Sequence, residues 1–329
     1  VAASLAWLRR FALGISAEET TFASRGFREG DAQARQRLEQ IGATFLHGYH
    51  TALEEEQPEA LACRLQLVES ELRGFAFEGA AMALALLDHL TPWKRHRWQA
   101  FLNGPGSAHI YMVHVGLGWV VARLPWLRGY LDRTLSNLHP LLRWLVVEGY
   151  GFHEGYFSWR RSVQAQTVPK RLSGYACRVF DQGLGRSLWF VEGADVSRIA
   201  TTIAAFPPAR QADLWSGVGL ACAYAGSVTE AALQALRESA RPHHPQLAQG
   251  AAFAAKARQR AGNPAAHTER ACQVLCGVAA EAAASLTDRA LADLPGDLRG
   301  LTPPARPPAF EIWRQRIQTH FVKAEVLTA

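Results

Sequence analysis

No long stretch of the chain alternates β-branched with polar residues; Val, Ile and Thr come singly or in runs of two or three among abundant Ala, Leu and Arg. That argues against an extended sheet and favours helix by propensity. A disulfide framework is missing as well. The five cysteines, Cys63, Cys177, Cys222, Cys272 and Cys276, are odd in number and irregularly spaced, which points to reduced thiols in a cytosol. Cys272 and Cys276 lie one helical turn apart, but with no second pair beside them they read as small core residues. There is no dense basic stripe. The net charge of +6 is spread over single arginines such as Arg35, Arg37, Arg64 and Arg73, the pattern of a solvated face and not of a nucleic-acid interface. A membrane-spanning run is also lacking: the most apolar stretch, 110–127, contains His114, Arg123 and Pro125, whereas a span needs about 20 mainly apolar residues. It reads as a buried helix. Residues 1–15 are broken by Arg9 and Arg10 and lead into no cleavage-site pattern. A soluble, cytoplasmic protein is expected.

Standard catalytic signatures are lacking too. The sequence contains no Glu-x-x-His, no His-Glu-x-x-His, no phosphate-binding Gly-x-x-x-x-Gly-Lys and no Gly-x-Ser-x-Gly, so no dedicated metal site is expected and no cofactor is assigned. Gly183 and Gly185 form a lone Gly-x-Gly followed by Arg186, which reads as a tight turn between Phe180 and Trp189 rather than as a dinucleotide fingerprint.

What is present is helical periodicity, clearest over 32–53, 58–72, 78–90 and 228–239. Within the first, Leu38, Ile41, Phe45 and Tyr49 recur at spacings of 3 and 4 on one face. Gly and Pro mark the breaks, at 103–106, 206–208 and 301–308; the last reads as a polyproline-like surface linker before a final amphipathic helix over 310–327. Short motifs recur in order. Glu78-Gly-Ala and Glu192-Gly-Ala, then Val115-Gly-Leu and Val218-Gly-Leu, are followed by Gly149 and Gly250 with Phe three residues on; Gly42, Phe45, Gly48 and Tyr49 also match Gly149, Phe152, Gly155 and Tyr156. Such order suggests duplication of a multi-helix unit. The fold class is therefore all-α, with internally duplicated helical units in one domain: a partial unit over 1–72, a first half over 73–172, a second half over 173–300 and a terminal helix over 309–329. Glycine inside a helix costs about 1 kcal/mol relative to Ala. The run from Glu148 to Gly155 holds three, so either another helix or a ligand must approach its backbone closely.

Two groups can carry chemistry. Glu148, His153 and Glu154 put two carboxyls and an imidazole into a segment that reads as buried, where such groups must be paired or functional; the other reading places His153 and Glu154 on opposite faces, one of them solvated. Glu78 and Glu192, matched in the repeat, are either helix N-terminal caps acting through the dipole or a central carboxylate pair. Trp119, Phe152, Tyr156, Trp215 and Phe253, with His114, can line an apolar tunnel between the halves.

The segments 73–82, 109–123, 141–156, 180–190 and 213–219 resemble, over nearly the whole chain, a domain-of-unknown-function family encoded in bacterial enediyne antibiotic cassettes, beside the iterative polyketide synthase. The resemblance carries no catalytic residues with it. It implies a part in converting the synthase's apolar linear polyene to the acetylenic enediyne core, as a desaturating or rearranging enzyme, an enzyme subunit, or a non-catalytic carrier or scaffold. It implies as partners the polyene and companion cassette proteins, membrane-associated ones among them; a homodimer is compatible and nucleic acid is not expected.

Overall fold

The computed structural model describes residues 2–91, 93, 96–124, 126–127, 131–294 and 307–328. Among these the chain forms helices and no strand. After α1 (Ala2–Leu13) and α2 (Phe22–Arg25), long and short helices alternate: α3 (Ala32–Glu54), α4 (Pro58–Gln66), α5 (Arg73–Leu90), α6 (Arg97–Asn103), α7 (Ile110–Arg123), α8 (Leu131–Ser136) and α9 (Trp144–Phe157). A π-helical turn over 160–164 stands where the next short helix would be. The alternation continues through α10 (Tyr175–Val191), α11 (Val196–Ala204), α12 (Pro208–Ala225), α13 (Glu230–Ser239), α14 (His244–Ala261), α15 (Ala266–Cys276) and α16 (Ala280–Ala290), and α17 (Ala309–Thr328) closes the chain. Local chemistry sets several ends. Asp31 accepts from Gln33 N and Ala34 N at the start of α3, Pro58 and Pro208 open α4 and α12, and Gly262 ends α14 at φ 63°. The linker expected over 301–308 lies mostly outside the described residues.

The long helices α3, α5, α7, α9, α10, α12 and α14 each pack on the next in one inner row. They run parallel: Trp144 meets Tyr175 near the starts of α9 and α10, Tyr150 meets Phe180 midway, and Tyr156 meets Phe190 at the ends. This is an α-solenoid arrangement, with the short helices on the outside.

The contact that repeats is made by glycine. A Cβ on Gly79, Gly116, Gly149, Gly183, Gly217 or Gly250 would run into the carbonyl oxygen of Phe45, Glu78, Val115, Glu148, Gln182 or Ser216, respectively, on the preceding inner helix. A Cβ on Gly48, Gly118, Gly151, Gly185 or Gly219 would strike the following one, at Ala76, Val146, Phe180, Leu214 or Leu247. Each inner helix thus offers one small residue to each neighbour, two positions apart. Those at 79, 116, 149, 183, 217 and 250 give a repeat of 33 to 37 residues.

This unit, a single inner helix with its connection, corrects the pairing of motifs. Gly149 and Gly250 are equivalent, as expected. Glu78 is equivalent to Glu148, not to Glu192, which ends α10 as its C-cap. Val218 stands two residues out of register with Val115. Gly48 corresponds to Gly151, so the match of Gly42, Phe45, Gly48 and Tyr49 to 149–156 is one helical turn out of register, a shift that leaves side chains on the same face. Gly183-Leu-Gly185 is the middle of α10 and not a turn. In the run from Glu148 to Gly155, the close neighbours are helices.

The row is curled. Side chains from α7, α9, α10, α12 and α14 surround one cavity, and the end of α14 returns to the segment before α5: Arg258 donates to Glu71 O at 3.2 Å and Asn263 to Ser70 O at 3.1 Å, while Phe75 meets Tyr224. The last helix, α17, covers one end through Phe310, Trp313, Ile317 and Phe321, all buried.

Candidate functional site

In each inner helix from α5 to α14, the residue just before the first small position, or the residue four further on, lines one of two cavities enclosed by the curl. Along the row these are Glu78 and Met82, Val115 and Trp119, Glu148 and Phe152, Gln182 and Arg186, Ser216 and Leu220, then Gln249 and Phe253. Spacing i, i+4 puts each pair on one face. Polar and aromatic groups therefore stack down an otherwise apolar interior.

At the centre, Glu148 is fully buried and accepts from Gln182 Nε2 at 3.1 Å and Arg186 at 3.0 Å. The Arg186 guanidinium also lies over the Phe152 ring, 4.8 Å from its centroid. Burial pushes the Glu148 carboxyl up against the pull of Arg186. Glu78 is also buried. Its Oε1 accepts from the Trp119 indole at 3.0 Å, and its Oε2 has no hydrogen-bond partner. Burial, opposed by Arg186 and the Trp119 bond and reinforced by Glu148, raises its pKa to about 7. The central carboxylate pair considered for Glu78 and Glu192 is not formed; the acid whose charge acts on Glu78 is Glu148, and Arg186 acts on both.

Two apolar cavities of about 40 Å³ each flank this cluster. One is lined by Val115, Leu145, Glu148, Arg186, Tyr224, Phe253 and Trp313. The other is lined by Ile15, Phe45, Glu78, Trp119, Phe152, Tyr156 and Phe190. The tunnel expected between two halves is thus a pair of small voids on either side of a polar plug. Each has room for a water or so, far below the roughly 300–1,000 Å³ of a small-molecule site.

The sequence candidates divide accordingly. Trp119, Phe152 and Tyr156 are brought together with Glu78, Trp119 packing on Phe45 at 4.5 Å and Phe152 at 5.2 Å. Phe253 lies at the other cavity, its ring tilted against that of Trp313 with centroids 4.5 Å apart. His153 and Glu154 line neither cavity. Glu154 pairs with Arg161 and lies 3.6 Å from His153, and Ser162 donates to its carbonyl oxygen, so the group fastens the end of α9 to the π-turn. Burial alone would raise the Glu154 carboxyl, but His153 and Arg161 hold it below the ordinary range. Glu192 clamps the end of α10, accepting from Arg28 at 3.1 Å and Thr202 at 2.8 Å; neither it nor Glu78 caps a helix N-terminus. His114 and Trp215 share one position of the repeat, two residues before the first small residue, and line neither axial cavity. The His114 ring bonds Ile110 O at 2.7 Å and faces Trp98, and burial lowers its pKa to about 4.

Gln182 and Arg186 were missed as site residues, as was the network at the α17 end, where Arg314 binds Asp213 at 2.7 Å, Glu311 and Gln249, and Ser216 donates to Gln249. A polar residue directly before a small-x-small pair, recurring every 33 to 37 residues, is the signal that would have found Gln182, Ser216 and Gln249; Arg186 follows four residues after Gln182, while no such pattern marks Asp213, Glu311 or Arg314. Among the described residues no three His, Cys, Asp or Glu side chains group to hold a metal ion. No helix among them is long and apolar enough to cross a membrane. Cys272 and Cys276 are buried, their thiols directed at Ala251 O and Ala248 O.

Residues 4–321 match the model of a family described as Protein of unknown function (DUF1702). The chain belongs to that family. No curated protein and no solved structure matches this DUF1702 chain.

Proposed function

We propose that this DUF1702 protein acts in enediyne biosynthesis, taking up an apolar linear polyene along the solenoid axis and helping convert it to the acetylenic core together with companion cassette proteins. The observation that carries the reading is Glu78: a fully buried carboxyl with one bare oxygen, poised near pH 7, at the wall of an aromatic cavity. A carboxyl with that pKa can both give and take a proton at neutral pH. Beside a conjugated chain it can protonate one carbon and, as carboxylate, remove a proton from another, a rearrangement in which atoms and charge balance. Desaturation would require an oxidant, which falls to a companion protein. Arg186 and Glu148 fix the field around Glu78, and Trp119, Phe152, Tyr156 and Phe253 supply apolar walls.

The test is incubation of the protein with the synthase-derived polyene, with and without the companion proteins, followed by mass spectrometry. Conversion that requires the protein and falls at least roughly a hundredfold in Glu78→Gln, the lower bound expected for loss of a general acid–base group, supports the reading. Conversion undiminished in Glu78→Gln, with polyene still retained by the protein, makes it a carrier. Failure of the wild type to retain polyene or to affect its conversion sinks both forms.

A further inference from the structure

Between α9 and α10 the alternation of long and short helices is broken. The π-helical turn over 160–164 leaves the end of α9 beside an open cleft of about 200 Å³. Arg25, Phe157, Ser158, Trp159, Arg160 and Arg161 line it, three guanidiniums and no carboxylate. Two of the three have an acid behind them: Arg25 pairs with Glu19 at 2.6 Å, and Arg161 pairs with Glu154. Glu39 is engaged at the start of α2, where it accepts from Phe22 N at 2.9 Å. Arg160 has no acid. Among the described residues its side chain makes no ion pair and no hydrogen bond.

Arg160 is held in place all the same. Its guanidinium lies over the Trp159 ring, 4.7 Å from the centroid, and the Trp159 indole is fixed by donating to Arg25 O at 3.0 Å. It also rests against Gly26, where φ is 64° and a Cβ would come within 3.0 Å of Arg160 Nη2. Packing on an aromatic face and a bare backbone positions a guanidinium while leaving its N–H donors unused. Arg25 adds another idle donor. Its Nη atoms serve Glu19, Tyr156 O and Phe157 O, but its Nε is buried with no acceptor, which costs free energy until an acceptor arrives. The cleft also adjoins the Glu78 cavity. Phe157 lines both, and the Arg25 guanidinium lies 4.7 Å from its ring centroid.

We propose that this cleft binds a carboxylate or a phosphate, the anionic head of a ligand whose apolar chain runs past Phe157 toward Glu78. Guanidinium N–H groups match both anions in bidentate geometry, and such charge-assisted bonds are the stronger kind. An uncharged ligand leaves the Arg160 donors and the Arg25 Nε as they are, and a cation meets three guanidiniums. The destination of the chain rests on the polyene reading above; the anion site rests on the cleft alone. Together they narrow the ligand from any apolar polyene to one that ends in an acid.

The test compares cis-parinarate, a conjugated tetraene carboxylate that fluoresces in apolar surroundings, with its uncharged methyl ester, in the full chain and in Arg160→Gln. Inorganic phosphate is added separately, as a competitor and as a probe read by 31P line broadening. Parinarate should bind roughly tenfold or more tightly than the ester, as one charge-assisted hydrogen bond allows. Arg160→Gln should erase most of that preference, with ester binding and circular dichroism unchanged. Phosphate should displace parinarate, and its line should broaden with the wild type and not with the variant. Acid and ester bound alike, or a preference for the acid that survives both Arg160→Gln and excess phosphate, would overturn the anion site and leave the axial cavity as the receiver of an apolar chain. Phosphate broadened only when Arg160 is present, with neither parinarate nor ester retained, would uphold the anion site and defeat the polyene reading.

Discussion

Glu78 is a buried carboxyl with one oxygen bonded to an indole and the other without a hydrogen-bond partner. Its pKa, raised to about 7 from 4.5, means the folded state holds a proton that the unfolded chain releases over that interval. Stability should therefore fall as pH rises from about 4.5 to about 7 and change no further above it. The full shift corresponds to about 3 kcal/mol at 1.36 kcal/mol per unit. Buried histidines act in the opposite sense: His109, His114 and His267, lowered to about 4, remove stability as pH falls below 6.5. The Glu78 contribution is isolated by difference. Urea unfolding of wild type and Glu78→Gln at pH 5 and pH 8 should show the variant losing less on going alkaline; an identical pH response in both would mean Glu78 is ionised throughout. Arg314, fully buried among Asp213, Glu311 and Gln249, has the reverse role. Arg314→Leu strands two carboxylates and should cost about 3–5 kcal/mol in unfolding free energy, whereas a loss below about 1 kcal/mol would show that Arg178, which also binds both Asp213 and Glu311, suffices.

At the level of the helix, glycine sets how closely neighbours lie. Gly183→Ala gains about 1 kcal/mol of helix propensity but drives a methyl into the Glu148 carbonyl oxygen, and a backbone atom cannot swing aside. Overpacking costs typically about 1–3 kcal/mol, so the substitution should destabilise on balance, and Gly151→Leu, aimed at Phe180 O, more so. Thermal midpoints equal to or above wild type would refute the close approach. Much of this was legible beforehand. The periodicity of Leu38, Ile41, Phe45 and Tyr49 placed α3 within a residue of its end, and the cluster of glycines around 149–155 announced a close neighbour. What the sequence obscured was register. The Glu-Gly-Ala motif recurs at 78 and 192 in unlike settings, because three residues carry too little information to separate a helix middle from a helix end. Likewise Glu154 and Glu148 are equally acidic in a list of residues. Only the curl, which turns one to the axis and the other to Arg161, separates them, and curvature arises from the sum of many contacts that no local motif encodes.

For the whole molecule the deciding quantity is volume. Two voids of about 40 Å³ cannot hold a polyene, and a close-packed interior does not yield by small amounts, so uptake requires a discrete opening. Over the Glu78 cavity, Ile15, Glu19 and Thr20, from the short segments after α1, form part of the wall. Arg25 holds that cover down: it pairs with Glu19 at 2.6 Å, donates to Phe157 O at 2.8 Å and Tyr156 O at 3.2 Å, and lies over the Phe157 ring. If opening precedes binding, the observed association rate should level off as polyene concentration rises, at the rate of opening itself. Stopped-flow quenching of tryptophan fluorescence by the polyene, with Trp119→Phe to identify the signal from the axis, reads this directly. Charge-assisted hydrogen bonds contribute about 1.5–3 kcal/mol each, so Arg25→Ala should raise the plateau roughly tenfold or more while leaving the axial cluster untouched. A wild-type rate that stays linear in concentration, or a plateau that Arg25→Ala does not move, would place the entrance elsewhere along the curl, with the seam of Arg258, Asn263 and Tyr224 against residues 70–75 as the next place to cut.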